Sequence, residues 1–408
     1  MDPSRRHIIR QGAGIALAAS LPSAFTRAMA QGGDTLRIGA LNPVTGSGSP
    51  YGGGMQKAII MAAGEVNAAG GVVGRKIEIF AEDSETSPEA GVLAAKKLID
   101  VNKVQALLGT WSSGVTAAVM PLTDAAGILH ATNAGASNIV SSKGLMFRYS
   151  ALSVEVGVSL GTMIAKRGFS RLATMAINNP SGREITAGAR TGWEKSGKHL
   201  VADVVYEANL PSYRSEIQKV LSANPDAIAL GGYLSDFTVI LRETRQAGSN
   251  VKFFVPAWTV NEKLIEALGA AAMEGVMTYD YVAALDSEAF KTFAVKFKNA
   301  TAIDPTGNYY ACCAYDMMVV VALAAEAASG KGGLAGSMRT VANPPGIVVN
   351  DVAHGLQLLR EGKKINYEGV SGSNDFDAIG NVKPLFKLSE IRNGKIEPVG
   401  NVFQDYGT

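Results

Sequence analysis

The residues best suited to chemistry lie in the segment Gly109–Thr116, which reads GTWSSGVT. It follows the apolar run Val104–Leu108, which predicts a buried strand, and precedes the small-residue run Ala117–Ala126, which predicts a helix. This order places hydroxyls and free backbone N–H groups at a helix N-terminus, where unpaired donors and the helix dipole favour an anion such as a carboxylate. The plain alternative is an ordinary capped loop in which Ser112 or Ser113 is the N-cap.

The elements around this turn alternate between strand and helix patterns. Thr35–Leu41 predicts a strand, and Met55–Ala69 has the spacing of a helix that ends at a glycine pair. The rhythm restarts with the helix Val154–Arg167 and the strand Arg171–Ile177, which indicates a second α/β unit. Alternation of this kind predicts βαβ units and parallel sheets. Ligands of such sheets lie beyond the carboxyl ends of the strands, where the Gly/Ser-rich loops of this chain fall.

Length and composition narrow the class of protein. A chain of 408 residues is long enough for two α/β domains. With 47% apolar residues, 18% charged residues and a net charge of +2, the composition indicates no nucleic-acid partner and no apolar run suggesting a membrane span. Cys312 and Cys313 are adjacent, so an unstrained disulfide between them is excluded and they are expected to be small core residues.

The N-terminus has the pattern of an export signal. Arg5 and Arg6 stand in the segment SRRHII, the apolar run Gly12–Leu21 follows, and Ala28-Met29-Ala30 gives a small-x-small cleavage pattern. Residues 1–30 are therefore predicted to be a twin-arginine signal peptide, cleaved near Ala30, that sends the protein to the periplasm. The alternative is a disordered basic tail.

Motifs of common enzymes are missing from the sequence. No G-x-G-x-x-G follows the first strand, and neither a G-x-S-x-G elbow nor a P-loop occurs. None of the four histidines has a partner at metal-ligand or triad spacing, and His130 falls in an apolar strand. The sequence therefore predicts no catalytic residue, no metal and no cofactor.

Several motifs together resemble the type I periplasmic binding proteins of branched-chain amino acid (leucine/isoleucine/valine) ABC transporters. The resemblance covers the chain from about Asp34 to its end. The most specific motif is Glu65–Ile77, EVNAAGGVVGRKI, and the others are Leu41–Gly46 with Tyr51-Gly52, Ser112–Thr116, Ala134–Ser137, Pro305–Tyr309 and Phe376–Gly380.

The resemblance implies an α/β fold of two Rossmann-like parallel-sheet lobes joined by three hinge crossovers. Lobe 1 would comprise residues 34–152 and 283–382, and lobe 2 residues 153–282 and 383–408. The ligand would lie in the cleft between the lobes, which closes by hinge motion. The implied partners are that small molecule and the membrane permease of an ABC transporter, with the protein acting as a monomer. A periplasmic sensor of the same fold that docks a receptor is the alternative.

The resemblance also assigns roles to individual positions. Ser113 matches the serine that binds the ligand carboxylate. Gly135 and Ser137 match positions that supply a backbone acceptor for the ligand ammonium and a hydroxyl for its carboxylate. Tyr51 matches the aromatic residue that covers the ligand side chain.

Two positions depart from the family pattern. Ser181 stands where the family has tyrosine, and the loop that carries the family's acid reads Pro256-Ala257-Trp258-Thr259, without a carboxylate. A buried ammonium needs a charged or multiple-acceptor partner. Asp236 and Asp280 are candidates to replace the acid, and each has a plain alternative as a helix N-cap or a solvated strand end.

Aromatic residues in the strand-end loops suggest what the ligand is. Trp111, Tyr233, Trp258, Tyr279 and Tyr281 all fall in or beside such loops, which predicts an aromatic-lined cleft. We therefore expect a small carboxylate with an aromatic or apolar body and not free leucine, isoleucine or valine. An acid restored by Asp236 or Asp280 would instead return the protein to the amino acid binders.

Export can be tested directly. Replacing both Arg5 and Arg6 with Lys is expected to leave precursor in the cytoplasm, because the twin-arginine route depends on that pair. Immunoblots of periplasmic and cytoplasmic fractions measure the result. A normal periplasmic yield of the double variant would contradict the twin-arginine assignment.

Overall fold

The computed structural model describes residues 35–328 and 333–400, and the predicted signal peptide lies outside them. The strands are β1 (Leu36–Asn42), β2 (Ile77–Asp83), β3 (Ala106–Gly109), β4 (Leu129–Thr132), β5 (Met146–Arg148), β6 (Leu172–Ile177), β7 (Ala202–Tyr206), β8 (Ala227–Gly231), β9 (Lys252–Pro256), β10 (Met277–Val282), β11 (Ile347–Val349), β12 (Ile365–Tyr367), β13 (Leu385–Arg392) and β14 (Lys395–Pro398). The helices are α1 (Ser49–Ala68), α2 (Pro88–Lys96), α3 (Ser113–Ala126), α4 (Ser153–Lys166), α5 (Pro180–Glu194), α6 (Arg214–Ser222), α7 (Leu234–Gln246), α8 (Glu262–Leu268), α9 (Ala270–Met273), α10 (Glu288–Thr301), α11 (Tyr309–Ala328), α12 (Leu334–Ala342) and α13 (Val352–Arg360).

Two large sheets organise these elements. The first has the order β2-β1-β3-β4-β5, and all of its pairs are parallel. The second has the order β14-β13-β10-β9-β8-β6-β7, in which the pairs from β10 to β7 are parallel and those that involve β13 are antiparallel. The expected α/β class with two parallel-sheet units is confirmed, with an antiparallel hairpin added at one edge.

The first sheet and the helices packed on it form one layer, and the second sheet with its helices forms another; the chain passes between these two layers three times. It leaves the first sheet after β5, and the helix that follows, α4, packs on α5 beside the second sheet. After β10 it returns, because α11 packs on α1 and β3. It crosses again to form β13 against β10. The first and third passages run side by side, since Arg148 forms a parallel bridge with Asn381. The fold that the family resemblance implies, with its three crossovers, is confirmed.

Helix α11 forms the centre of the first layer. Its side chains are buried continuously from Tyr309 to Ala324, including Cys312 and Cys313, which are free thiols. Among the described residues it is the one helix long and apolar enough to span a membrane, with a mean hydropathy of 1.6, and 83% of that apolar window is buried inside the protein. The expectation that the chain has no apolar run of this length is therefore wrong. The helix does not indicate a membrane span, because a buried core helix meets the same criterion.

One carboxylate in α11 fixes the chain before its third passage. Asp316 is fully buried and accepts hydrogen bonds from the Tyr367 hydroxyl at 2.8 Å, from the Val370 N–H at 3.0 Å and from the Ser371 N–H at 2.8 Å. Burial raises the pKa of Asp316. The bonds satisfy a group that would otherwise be costly inside the core, and they hold the segment that leads to the second sheet.

Candidate functional site

The turn after β3 rests on a buried polar network. The Thr110 hydroxyl lies 2.7 Å from His130 Nε2 and 3.0 Å from Thr132 Oγ1, and the Thr132 hydroxyl donates back to the Thr110 carbonyl at 2.6 Å. Burial lowers the pKa of His130 to about 3, so its ring is neutral at physiological pH. Thr110 has a φ of 58°, a left-handed conformation that is uncommon outside glycine. The network holds this strained residue and thereby aims Trp111 and the helix start that follows.

The start of α3 has the properties expected of an anion site. Ser112 is the N-cap by backbone geometry, but its side chain makes no capping hydrogen bond. The first N–H groups of the helix are therefore not used by a side-chain cap and can donate to an anion. Ser113 Oγ accepts the Ala136 N–H at 3.2 Å, which leaves the hydroxyl proton of Ser113 available for donation. A carboxylate placed here would receive hydrogen bonds from both the helix and the hydroxyl.

The turn after β4 is held from below by Arg148. This side chain is only 1% exposed, and its guanidinium donates to the carbonyls of Ala134, Ala136 and Ile139 at 2.7–2.8 Å and to Asn381 Oδ1 at 2.5 Å. Burial lowers the pKa of Arg148 to about 10, which leaves it charged at neutral pH. Arg148 therefore links the position of this turn to that of the crossover segment that contains Asn381.

Gly135 is required in this turn because of a close approach. A Cβ at this position would lie 2.6 Å from Ser153 Oγ and 3.0 Å from the Ala151 carbonyl. The Gly135 carbonyl, expected to accept from a ligand ammonium, accepts the Ser153 N–H at 2.7 Å. Ser153 in turn contacts Ser181 through their hydroxyls at 2.8 Å. A chain of small polar residues thus connects the first sheet to the second.

Aromatic rings from both sheets form one cluster. Trp111 lies two residues after β3, and the centroid of its ring is 5.4 Å from that of Tyr233, 6.4 Å from that of Trp258 and 5.8 Å from that of Tyr310. Trp258 stacks on Tyr281 at 6.2 Å and donates its indole N–H to the Gly232 carbonyl at 3.0 Å. Such ring pairs add to the stabilisation that area burial provides. The aromatic cluster thus faces the polar residues Ser113, Gly135, Ser153 and Ser181.

A small cavity lies between the polar residues and the aromatic cluster. Its volume is about 30 Å³, which is room for a water molecule or two. Among the described residues, the ten that line it include none with a charged side chain. They are Trp111, Ser113, Asn133, Gly135, Ser153, Ser181, Tyr233, Trp258, Tyr281 and Tyr310.

Six of the residues that the sequence predicts for the site line this cavity, and four do not. The six are Trp111, Ser113, Gly135, Ser181, Tyr233 and Trp258. The Tyr51 ring stacks on Trp111 with a centroid distance of 5.8 Å and lines a larger cleft, and Ser112 Oγ lies 3.1 Å from the Tyr233 hydroxyl. Ser137 is bound by Glu184, and Asp280 lies in a separate cleft.

The two candidate acids lie outside the cavity lining. Asp280 lines an open cleft of about 740 Å³ and stands opposite Lys387 in the antiparallel β10–β13 ladder. Alternate side chains of β10 point to opposite faces, so Asp280 faces this cleft while Tyr281 lines the small cavity. Burial raises the pKa of Asp280 to about 6. Asp236 is buried in the first turn of α7 and accepts from the Tyr213 hydroxyl at 2.5 Å and the Asn209 N–H at 2.8 Å. Asp236 is therefore hydrogen-bonded through Oδ1, whereas its Oδ2 is buried without a hydrogen-bond partner among the described residues.

Four lining residues were not among the predicted site residues. Asn133 directly follows the residues of β4, and that position at a strand end was the available signal. Tyr281 was recognised only as one member of the aromatic set. Ser153 and Tyr310 each lie in the first turn of a helix, and nothing in the local sequence distinguishes them from buried core positions.

Polar contacts join loops of the first sheet to loops and helices of the second, along the boundary between the two layers that we call the seam. Glu184 in α5 accepts the Ser137 N–H at 2.8 Å and the Ser137 hydroxyl at 2.7 Å. Ser47 Oγ lies 3.3 Å from Ser235 Oγ, at the start of α7. Together with the contact between Ser112 and Tyr233, these bonds hold the loops against each other.

Removing the Glu184 carboxylate tests these contacts. Glu184→Ala is expected to favour separation of the loops by about 1 kcal/mol, or roughly fivefold, since the bonds are charge-assisted but exposed. Small-angle X-ray scattering should show a larger radius of gyration for the variant. Glu207→Ala is the matched control, because Glu207 bonds to Asn178 within the second layer. Equal scattering of both variants would contradict the role of Glu184.

The comparisons with known proteins agree with this architecture. Residues 35–380 match the sequence profile of a family described as periplasmic binding protein. A leucine-, isoleucine-, valine-, threonine- and alanine-binding protein of Pseudomonas aeruginosa is 27% identical over 298 residues, covering 72% of this chain and 79% of the relative.

Solved structures have the same fold. A leucine-binding protein of Thermotoga maritima aligns with a TM-score of 0.76 and 19% identity, covering 90% of this chain and 98% of the other. An ABC-transporter solute-binding protein of R. palustris, in complex with benzoate, aligns with a TM-score of 0.71 and 21% identity, covering 90% and 96%. The family profile spans most of the chain, and the two sheets, the three crossovers and the cavity between them agree with it, so this protein belongs to the periplasmic binding protein family.

Proposed function

We propose that this protein is the solute-binding component of an ABC transporter and that it captures a small carboxylate with an aromatic body between its two lobes. One observation carries the proposal: the cavity between the sheets has an uncapped helix N-terminus and hydroxyls on one wall and aromatic rings on the other. The first wall suits a carboxylate and the second suits a flat apolar group.

The lobes in this proposal are residues 34–152 with 283–382 and residues 153–282 with 383–408. In support, β1–β5 form one sheet, whereas β6–β10, β13 and β14 form the other. A ligand larger than the cavity of about 30 Å³ requires the lobes to open about the three crossovers. The contact between Ser137 and Glu184 would then re-form on closure.

The class of ligand follows from the charges around the cavity. A buried ammonium without a charged partner is costly, and no side chain among the ten lining residues is charged. The curated relative from P. aeruginosa binds amino acids by its name, whereas the R. palustris protein holds benzoate. The uncharged lining favours a ligand of the second kind, with Ser113, Gly135 and Ser181 near its polar end and Trp111, Tyr233 and Trp258 around its ring.

The remaining parts of the proposal concern the setting of the protein. The twin-arginine signal in residues 1–30 would deliver the protein to the periplasm, where relatives of this family act. There it would work as a monomer that docks the permease, and its cleft would bind the ligand without catalysis and without a cofactor.

Isothermal calorimetry with three compounds tests the ligand class. Phenylacetate is expected to bind more tightly than phenylalanine and leucine, because it combines a carboxylate and a ring without an ammonium that needs a counter-charge. Tight leucine binding that is lost in Asp280→Asn or Asp236→Asn would contradict the proposal and identify an amino acid binder.

Ser113→Ala tests the carboxylate end. Loss of a hydrogen-bond donor to a charged group costs about 1.5–3 kcal/mol, so phenylacetate affinity should fall roughly tenfold to a hundredfold. Thermal unfolding of the same variant reports any structural loss, and Ser222→Ala, at an exposed serine in α6, is the matched control. Unchanged affinity in Ser113→Ala would mean that the carboxylate lies elsewhere.

A further inference from the structure

The side chain of Asn133, which lines the cavity, is unusual in its hydrogen bonding. It is 4% exposed and lines the cavity, yet neither its amide oxygen nor its amide nitrogen has a hydrogen-bond partner among the described residues. A buried amide without partners is destabilising. Buried polar groups of this kind are rare in folded proteins, and one that lines a cavity points to a ligand.

The position of Asn133 places it beside the polar wall. It follows β4, two residues before Gly135, in the turn that also brings the Ala136 N–H to Ser113 Oγ. Ser153 and Ser181 continue that wall through the bond to the Gly135 carbonyl and the contact between their hydroxyls. Asn133 therefore meets the carboxylate end of a ligand whose ring lies among the aromatic residues.

The hydrogen-bonding groups of the Asn133 amide define which ligand groups can pair with it. The Nδ2 group donates only and Oδ1 accepts only. A carboxylate alone can accept from Nδ2 but leaves Oδ1 unpaired. A neighbouring hydroxyl supplies the missing donor without adding charge, whereas an ammonium would supply it at the cost of burying an uncompensated cation.

We propose that Asn133 is a specificity-determining residue that binds the hydroxyl next to the carboxylate of an aromatic 2-hydroxy acid. Asn133 Nδ2 donates to the carboxylate while Oδ1 accepts from the 2-hydroxyl. This inference rests on the proposed function and refines its ligand from an aromatic carboxylate to one that carries this hydroxyl.

Three probes that differ in a single substituent test the inference. Mandelate, phenylglycine and phenylacetate share the ring and carboxylate and carry a hydroxyl, an ammonium and a hydrogen on the intervening carbon. Calorimetry on the full mature chain is expected to show mandelate binding about tenfold more tightly than phenylacetate, with phenylglycine the weakest.

Variants assign the preference to the side chain. Asn133→Ala should reduce the ratio of mandelate to phenylacetate affinity to about one, whereas Asn138→Ala, at an exposed position of the same turn, should leave the ratio unchanged. Because the ratio is taken within one variant, a general loss of folded protein does not alter it, and thermal unfolding of each variant checks stability.

The outcomes separate the inference from the proposed function. Phenylacetate binding that depends on Ser113, together with equal affinity for mandelate, overturns the role of Asn133 and leaves the proposed function intact. A ratio that survives Asn133→Ala, or a preference for phenylglycine, likewise overturns the inference. If none of the three acids binds, the aromatic-acid function and this inference are both wrong.

Discussion

The buried guanidinium of Arg148 is the constraint on which the site depends. A charge this deep inside a protein is tolerated only when its donors are satisfied, and here three carbonyls of the turn after β4 and the amide oxygen of Asn381 accept from it. Asn381 is itself held by Asp377 at 3.1 Å. The geometry of the cavity-lining turn after β4 and that of a crossover between the two sheets are thereby fixed by one side chain. A shift of either segment would leave part of this buried cation's donors without acceptors.

The seam between the layers combines two kinds of interaction with different tolerances. The ring contacts around Trp111 depend on area and can be re-formed around a bound ring with little loss. The hydrogen bonds of Ser137 to Glu184 and of Ser112 to Tyr233 depend on distance and direction. A ligand that replaces part of the ring packing can therefore stabilise closure only if the loops return to positions in which these bonds form again.

Much of the fold could be predicted from the sequence, and the reason is periodicity. The apolar run before Gly109 and the small-residue run after it define β3 and α3, and the turn at Asn393-Gly394 joins β13 to β14 as an antiparallel hairpin. Strands of three residues such as β5 and β11 carry too little pattern to be recognised. The membership of β13 in the second sheet follows from the family resemblance and not from local pattern, because it depends on contacts with β10, more than a hundred residues earlier in the chain.

The site was less accessible to sequence reasoning, because local pattern does not determine partners. Gly135 and Ser137 lie two residues apart, yet one lines the cavity and the other is bound to a carboxylate of α5. Asp280 and Tyr281 are adjacent, and the alternation of β10 sends them to different spaces. Which of these positions contact a ligand remains a prediction for binding measurements.

The placement of the three tryptophans has an optical consequence. Trp111 and Trp258 form part of the ring cluster at the seam, whereas Trp193 is fully buried in α5 and donates its indole N–H to the His199 carbonyl. If the lobes open as proposed, the indoles of Trp111 and Trp258 would change their surroundings, while that of Trp193 would provide a constant background. The ultraviolet emission of the unlabelled protein would then report the proposed opening, and replacing Trp193 with phenylalanine would leave that signal to Trp111 and Trp258 alone.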